Sequence, residues 1–230
     1  MPLVLKKRAA NISEQMDQPD CDPGMLNNTY RQFHRMNPLI SRWRLIYKRF
    51  ILPEIAPGKT NTLLDIGFGG GDIIFNIAKW AKKDGVELKI TGIDSDVRAV
   101  DYANSLPADP AIEFKLATLE TIKENGRKYD FVISNHLIHH LDHPEFTHMI
   151  RHLETIATKR VIFNDIERSD LAYLGFCAFI GPFLRKSFAR PDGLRSIRRS
   201  FTKAELQQTV PAHWRVYRFF PFRLVLIRDP

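Results

Sequence analysis

The sequence contains few cysteines and no long hydrophobic run. Among 230 residues only Cys21 and Cys177 are cysteines, which is too few for a disulfide framework and predicts a reducing, cytoplasmic location. No apolar stretch reaches the roughly 20 residues that a membrane-spanning helix requires, and residues 1–8 carry no secretory apolar region after their charges. Internal repeats and low-complexity segments are also absent. We therefore expect one ordinary intracellular domain with attachments.

A recognised metal-binding motif is missing too, although histidines are clustered. The clustered residues are His136, His139, His140, His143, His148 and His152. On a helix, His136 would share a face with His139 or His140, as metal ligands do. However, no cysteine or H-E-x-x-H motif lies nearby, and Asp142 and Glu145 fit no metal spacing. We predict no metal, expect several of these histidines in loops or helix caps, and retain His139 and His140 as candidate catalytic bases, because imidazole titrates near neutral pH.

The most informative stretch that is present runs from Leu63 to Asp72. A short apolar run ends in Asp65 and is followed by four glycines within five positions, and then by a helix-like segment over Ile73–Lys83. This is the layout of a strand, a tight turn and a helix N-terminus, where backbone N–H groups are free to meet a ligand. Glycines let a ligand approach without a Cβ in the way. The stretch predicts a small-molecule cofactor site.

The spacing of the glycines distinguishes between two cofactor classes. The dinucleotide fingerprint G-x-G-x-x-G would need a third glycine where this chain has Asp72, and an acid there would repel a pyrophosphate. The pattern Asp65-x-Gly67-x-Gly69-x-Gly71 instead resembles the first motif of class I S-adenosylmethionine-dependent methyltransferases. Their cofactor carries a sulfonium and an ammonium group, which nearby acids suit. The resemblance implies that these four residues hold the methionine end of the cofactor.

A second acid follows at the spacing that this resemblance implies. Leu88–Asp94 is predicted to be a strand ending in a carboxylate, followed by Ser95 and a helix to about Leu106. A carboxylate there can accept hydrogen bonds from both ribose hydroxyls, although it can also act only as a helix N-cap. The resemblance assigns the ribose to Asp94, and we place Ser95 in the same site. After the third strand, Ile112–Leu116, the family often has an acid for the adenine, and here Ala117 and Thr118 take its place.

The alternation of strands and helices from Thr62 to about Asp165 predicts a mostly parallel sheet with helices on both faces. Tyr129–Asn135 is the fourth strand and Arg160–Asp165 the fifth. The resemblance places Asn135 and His136 next to the sulfonium. Residues 214–227 form two strand-like runs joined at Pro221, similar to the terminal antiparallel hairpin of the family. We therefore predict an α/β, Rossmann-like class I methyltransferase fold with seven strands and added helices.

Two segments lie outside this core. Residues 1–60 are basic and helix-prone and are predicted to cap the methyltransferase domain of residues 61–230, within which residues 166–206 form a helical, basic lid. The lid begins with an apolar, phenylalanine-rich run over 171–184 and continues over 185–199 with six cations and one acid. It can cover a hydrophobic substrate, lie on an anionic membrane or contact nucleic acid. A buried helix with a solvated basic loop is the simpler alternative. We favour the lid over nucleic acid, because its aromatic residues precede the charges instead of alternating with them.

Residues 14–23 and 164–173 resemble, more weakly, a bacterial methyltransferase group associated with type III polyketide synthases and with phenolic or quinone lipids. We accordingly predict S-adenosylmethionine-dependent O-methylation of a small, largely apolar phenolic or quinol-type acceptor. The net charge of +8 keeps an RNA methyltransferase as one alternative. The chain nevertheless lacks the Asn/Asp-Pro-Pro-aromatic motif of amino-methylating nucleic-acid enzymes. A cofactor-binding regulator without activity is the other alternative.

Overall fold

One mixed sheet of seven strands runs through the computed structural model, which describes residues 2–229. The strands are β1 (Asn61–Ile66), β2 (Leu88–Asp94), β3 (Ile112–Leu116), β4 (Tyr129–Asn135), β5 (Ala157–Ile166), β6 (Trp214–Phe219) and β7 (Arg223–Arg228). Their order is β3-β2-β1-β4-β5-β7-β6. The first five strands are parallel, and β7 pairs antiparallel with both β5 and β6. The chain reverses its winding direction between β1 and β4, and ligands bind open α/β sheets at the carboxyl ends of the strands there.

Alternate residues of the central strands supply two separate apolar cores, one on each face of the sheet. Leu63 of β1 and Phe131 of β4 belong to the core on one face, whereas Leu64 and Val132 belong to the other. This is the period of two that a strand imposes on its side chains. Helices cover both faces, so these strands are apolar on both sides and were recognisable in the sequence as short hydrophobic runs.

Helices connect the strands and cover the sheet. They are α1 (Pro23–Ile40), α2 (Trp43–Ile46), α3 (Asp72–Lys83), α4 (Val97–Asn104), α5 (Leu119–Glu124), α6 (His143–Ile156), α7 (Asp170–Gly175), α8 (Ala189–Arg199) and α9 (Lys203–Thr209). Shorter π- or 3₁₀-helical turns lie at residues 47–51, 52–54, 138–140, 176–180 and 181–183. Among residues 2–229, no helix is both long and apolar enough to cross a membrane.

The N-terminal segment packs onto the same core as the sheet. Leu26 and Tyr30 of α1 are buried and share an apolar core with Ile73 and Ile74 of α3. Before α1, the backbone N–H groups of Gln15 and Met16 donate to the Asp192 carboxylate of α8, at 2.8 and 2.9 Å. This segment therefore lies beside the lid. The division at residue 60 remains a prediction.

The predicted lid is helical but is not one continuous helix. Residues 170–183 form α7, a π-helical turn and a 3₁₀ turn in succession. Pro182 has no backbone N–H to continue a helix, which fits the break at this point. Most of the basic segment is not a solvated loop, because residues 189–199 form α8, which buries Ala189 and Ile197 against the rest of the protein. Arg185 and Lys186 before this helix are exposed.

Candidate active site

A cavity of about 660 Å³ opens where the carboxyl ends of β1, β2 and β4 meet. One wall consists of the glycine turn together with Asp72, Asp94 and Ser95. The lining also includes histidines from the loop after β4 and aromatic residues from the lid, among them Phe176 and Phe179. Residues from the N-terminal segment and α1 complete the enclosure. The predicted cofactor turn and the predicted lid therefore face the same space.

The glycine turn needs glycine for two different reasons. Gly67, Gly69 and Gly71 have φ values of 68°, 55° and 77°, in the left-handed region that L side chains rarely adopt. Gly70 has no such constraint, but a Cβ there would lie 2.9 Å from the Cβ of Tyr30. Helix α1 therefore packs directly on the turn. A Cβ on Gly71 would meet the ring of Phe114 at 3.2 Å, so this glycine serves packing and does not line the cavity.

Three carboxylates surround the turn. Asp94 accepts hydrogen bonds from the backbone N–H groups of Gly69 and Asp96, at 2.9 and 3.0 Å, and so joins the turn to β2. Asp72 accepts from the Nδ2 of Asn37 at 3.0 Å. Asp65 is buried, does not line the cavity, and has one oxygen without a hydrogen-bond partner among the described residues.

These three acids lose their protons less readily than free carboxyl groups. Burial raises the pKa of all three carboxyls, and for Asp65 the charges of Asp72 and Asp94 raise it further. A cationic group beside them would offset this repulsion. The turn and its acids therefore fit a cofactor that carries an ammonium or sulfonium group and a ribose.

Ala117 and Thr118, the residues predicted to contact the adenine, lie outside the cavity lining. Thr118 is the N-cap of α5, where its hydroxyl accepts a hydrogen bond from the backbone N–H of Thr121 at 3.4 Å. Ala117 donates its backbone N–H to the carbonyl of Asp94 at 3.0 Å. Neither residue lines the cavity, whereas Ser95 does. The cofactor roles of Ala117 and Thr118 therefore remain predictions without support from the cavity.

The loop after β4 presents Asn135 and His136 to the cavity. The Nε1 of Trp43 donates to the side-chain oxygen of Asn135 at 2.9 Å. His136 has a left-handed backbone with a φ of 60°, and its N–H donates to the carbonyl of Asn164 at 3.0 Å. Its Nε2 accepts a hydrogen bond from the guanidinium of Arg223 at 2.5 Å. Burial and then the charge of Arg223 hold the pKa of His136 well below its usual range, so this imidazole is neutral.

His139 is buried between two carboxylates. Its Nδ1 lies 2.7 Å from Asp165, its Nε2 lies 3.2 Å from Glu14, and its backbone N–H donates to the second oxygen of Asp165. Burial by itself would lower the pKa of His139, but the two carboxylates outweigh it and raise the pKa to about 9. In return, the hydrogen bond and charge of His139 overcome the burial of Glu14 and lower its pKa to about 2. His139 is therefore an imidazolium at neutral pH, which makes it a poor proton acceptor.

His140 is more accessible than its neighbour. Its side chain is 26% exposed and lines the cavity, with Nε2 3.7 Å from Glu14 and Nδ1 3.4 Å from Asp17. The ligand atoms of Glu14, His139 and His140 lie within 4.8 Å of one another, which is close enough for a metal ion. However, Glu14 and His139 already bond to each other. Asp142 and Glu145 form the capping box of α6, which accounts for that pair without a metal.

Sequence reasoning gave no site role to Glu14, Asp165 or Arg223. Glu14 and Asp165 do fall within the two flanking segments that carried the weaker resemblance, so a signal was present without an assigned chemistry. Arg223 was counted only as part of the terminal hairpin. Its guanidinium is buried in the cavity wall because β7 begins beside the carboxyl end of β5.

Comparisons with known proteins agree with the fold and the glycine turn. Residues 63–159 match the profile of the family described as methyltransferase domain. The mitochondrial ubiquinone biosynthesis O-methyltransferase of Arabidopsis thaliana is 29% identical over 157 residues, which are 63% of this chain and 45% of that protein. The match thus spans less than half the length of this curated relative.

Two solved structures share the fold. The plantazolicin methyltransferase BpumL, in complex with a pentazolic substrate analogue and S-adenosylhomocysteine, superposes with a TM-score of 0.56 at 15% identity, over 87% of this chain and 86% of that one. Human N-acetylserotonin methyltransferase in complex with S-adenosylmethionine superposes with a TM-score of 0.63 at 11% identity, over 90% of this chain and 56% of that one. The predicted Rossmann-like class I methyltransferase fold is confirmed.

Proposed function

We propose that this chain is a class I S-adenosylmethionine-dependent methyltransferase that methylates a hydroxyl oxygen of a small, largely apolar phenolic or quinol-type compound; the match of residues 63–159 to the methyltransferase domain family supports this. One observation carries the proposal: a single cavity joins the glycine turn and its acids to a histidine loop and an aromatic wall. S-adenosylmethionine, when bound, supplies a methyl group on a positively charged sulfur. The Arabidopsis relative, a ubiquinone biosynthesis O-methyltransferase by name, supports an oxygen acceptor.

The chain's own residues have separate roles in this proposal. Asp94 accepts hydrogen bonds from the ribose hydroxyls, and Asp72, which lines the cavity, favours the positive charge of the cofactor, with Asp65 acting from behind the turn. Phe176 and Phe179 pack against the acceptor ring and exclude water. Holding the acceptor oxygen against the methyl donor supplies most of the rate, because a fixed approach replaces a random encounter.

His140 is our candidate base. A phenol has an unperturbed pKa of about 10, so a nearby proton acceptor assists its deprotonation as the methyl group is transferred. His139 is already protonated and instead holds Glu14, which approaches both histidine rings. We therefore separate the two predicted catalytic histidines into a base, His140, and a positioning residue, His139.

The proposal extends to an anionic membrane surface as the source of the acceptor. Four large apolar side chains next to the cavity are 62–81% exposed, and we call them the apolar ridge. They are Leu171, Leu174, Phe179 and Phe183. Phe179 also lines the cavity, and the exposed cations Arg185 and Lys186 follow the ridge. Apolar side chains flanked by cations bind anionic interfaces.

This membrane contact is testable by sedimentation with vesicles. We expect more protein to sediment with phosphatidylserine-containing vesicles than with phosphatidylcholine vesicles, and Phe183→Asp to reduce that binding. Phe183 does not line the cavity, so this variant is expected to bind S-adenosylhomocysteine like the wild-type protein. Equal sedimentation of the wild-type protein with both lipids, or with neither, would contradict the proposed contact.

Methyl transfer itself is tested in two steps. Calorimetry with S-adenosylhomocysteine first measures cofactor binding, and an acceptor screen with methyl-labelled S-adenosylmethionine then includes phenols, quinols and bulk RNA. We expect binding and labelling of phenolic or quinol acceptors. Labelling of RNA alone would support the RNA methyltransferase alternative, and binding without transfer to any acceptor would support a regulator. Absence of binding would contradict all three.

A further inference from the structure

The guanidinium of Arg223 is a buried positive charge in the cavity wall without an anion in contact. Arg223 is the first residue of β7 and is 3% exposed. Its Nε donates to the Oδ1 of Asn164 at 3.1 Å, and its two terminal nitrogens contact His136 at 2.5 Å and the Oδ1 of Asn135 at 3.2 Å. All three acceptors are neutral, and within residues 2–229 no carboxylate forms a salt bridge with Arg223.

The nearby carboxylates, Asp165 and Glu14, form hydrogen bonds with groups other than Arg223. Asp165 bonds His139 through both of its oxygens, and one of them also accepts the backbone N–H of Ile166 at 2.7 Å. Glu14 bonds His139 and the hydroxyl of Ser196, at 3.2 and 2.7 Å. The positive charge of His139 is therefore in direct contact with two carboxylates. The charge of Arg223 interacts with the Asp165 carboxylate only at longer range. Burial lowers the pKa of Arg223 to about 10, and the side chain still carries its charge at neutral pH.

The donor geometry indicates which partner is missing. A guanidinium has five N–H donors, and three of those on Arg223 make the contacts described above. The two that remain are one on each terminal nitrogen, and the carbonyl of Asn164 approaches one of them only at 3.5 Å. The terminal N–H groups of a planar guanidinium can match the two oxygens of a carboxylate, which would replace the long contact to the Asn164 carbonyl. An unpaired buried charge is costly, so a ligand that pairs with it gains affinity.

We infer that Arg223 is a specificity residue of the acceptor site and that the acceptor is an aromatic compound bearing a carboxylate, which Arg223 binds through its terminal N–H groups. The claim that the bound carboxylate compound is the methyl acceptor rests on the proposed function. The anion site itself does not depend on methyl transfer. The carboxylate would lie at the His136 end of the cavity, with the apolar part of the molecule directed toward Phe176 and Phe179.

Calorimetry with two matched probes tests the anion site. The probes are 4-hexylbenzoate and its neutral counterpart 4-hexylbenzamide, titrated into protein with and without S-adenosylhomocysteine. We expect the wild-type protein to bind the carboxylate at least about tenfold more tightly, which corresponds to about 1.4 kcal/mol. Arg223→Gln should abolish this preference, Arg223→Lys should retain part of it, and Arg151→Gln, on an exposed arginine of α6, should keep it in full.

Three outcomes would overturn the inference. The wild-type protein could bind both probes equally, or it could bind neither at millimolar concentration. Alternatively, Arg223→Gln could weaken the binding of S-adenosylhomocysteine while leaving the preference for the carboxylate probe unchanged. That result would assign Arg223 to the cofactor site. If Arg223→Gln does not fold by circular dichroism, the loss of preference is measured with Arg223→Lys. A carboxylate preference without methyl transfer to any acceptor would support the anion site and contradict the proposed function.

Discussion

Replacing His139 by glutamine should change how the stability of the protein depends on pH. His139 is 1% exposed and lies between Asp165 and Glu14. In the unfolded chain its pKa is the ordinary 6.5, and in the folded protein it rises to about 9. Each pKa unit of difference corresponds to about 1.4 kcal/mol, so the protonated imidazole contributes about 3 kcal/mol to the free energy of unfolding.

The direction follows from where the proton is bound. Below pH 6.5 the imidazole is protonated in both the folded and the unfolded state, and the contribution is fully present. Between pH 6.5 and 9 only the folded state holds the proton, so stability falls as the pH rises. Above pH 9 the folded protein also loses the proton, and the contribution is gone.

Urea unfolding followed by circular dichroism measures this effect. The free energy of unfolding of the wild-type protein minus that of His139→Gln should decrease by about 3 kcal/mol between pH 6.5 and 9.5. Groups that titrate equally in both proteins cancel in this difference. Asp165→Asn keeps His139 but removes the carboxylate closest to it. The free energy of unfolding of this variant minus that of His139→Gln should therefore decrease less over the same pH range than the wild-type difference does. A difference that stays constant over this pH range would refute an imidazolium at His139.

Three further variants test the cavity and its support. Asp94→Asn should weaken S-adenosylhomocysteine binding by at least about tenfold in calorimetry, because an amide keeps only one acceptor oxygen; unchanged affinity would remove Asp94 from the ribose site. Gly92→Ala should lower the free energy of unfolding by about 1–3 kcal/mol, because its Cβ would lie 2.6 Å from the Cδ1 of Ile74; an unchanged urea midpoint would contradict this packing. His140→Ala should reduce turnover of a phenolic acceptor by about 10²–10⁴-fold, with its pH dependence altered and cofactor affinity retained; full turnover would exclude His140 as the base.

Strand positions were predictable because they depend on local pattern. The predicted bounds of β2, β3 and β4 coincide with the observed strands, since each is a short apolar run bounded by polar or turn residues. The helix after the glycine turn begins one residue earlier than predicted, at Asp72. The lid was less predictable, because whether α8 forms depends on the surface that buries Ala189 and Ile197.

The sequence by itself determined the sheet, the glycine turn and the acid that ends β2. These features lie within short stretches whose spacing of apolar residues, glycines and acids is constrained by backbone geometry. The tertiary structure decided the charge and access of the site. Glu14 reaches His139 across 125 positions of sequence, and Arg223 reaches His136 across 87. A pKa depends on burial and on neighbouring charges, and only the folded chain brings those together.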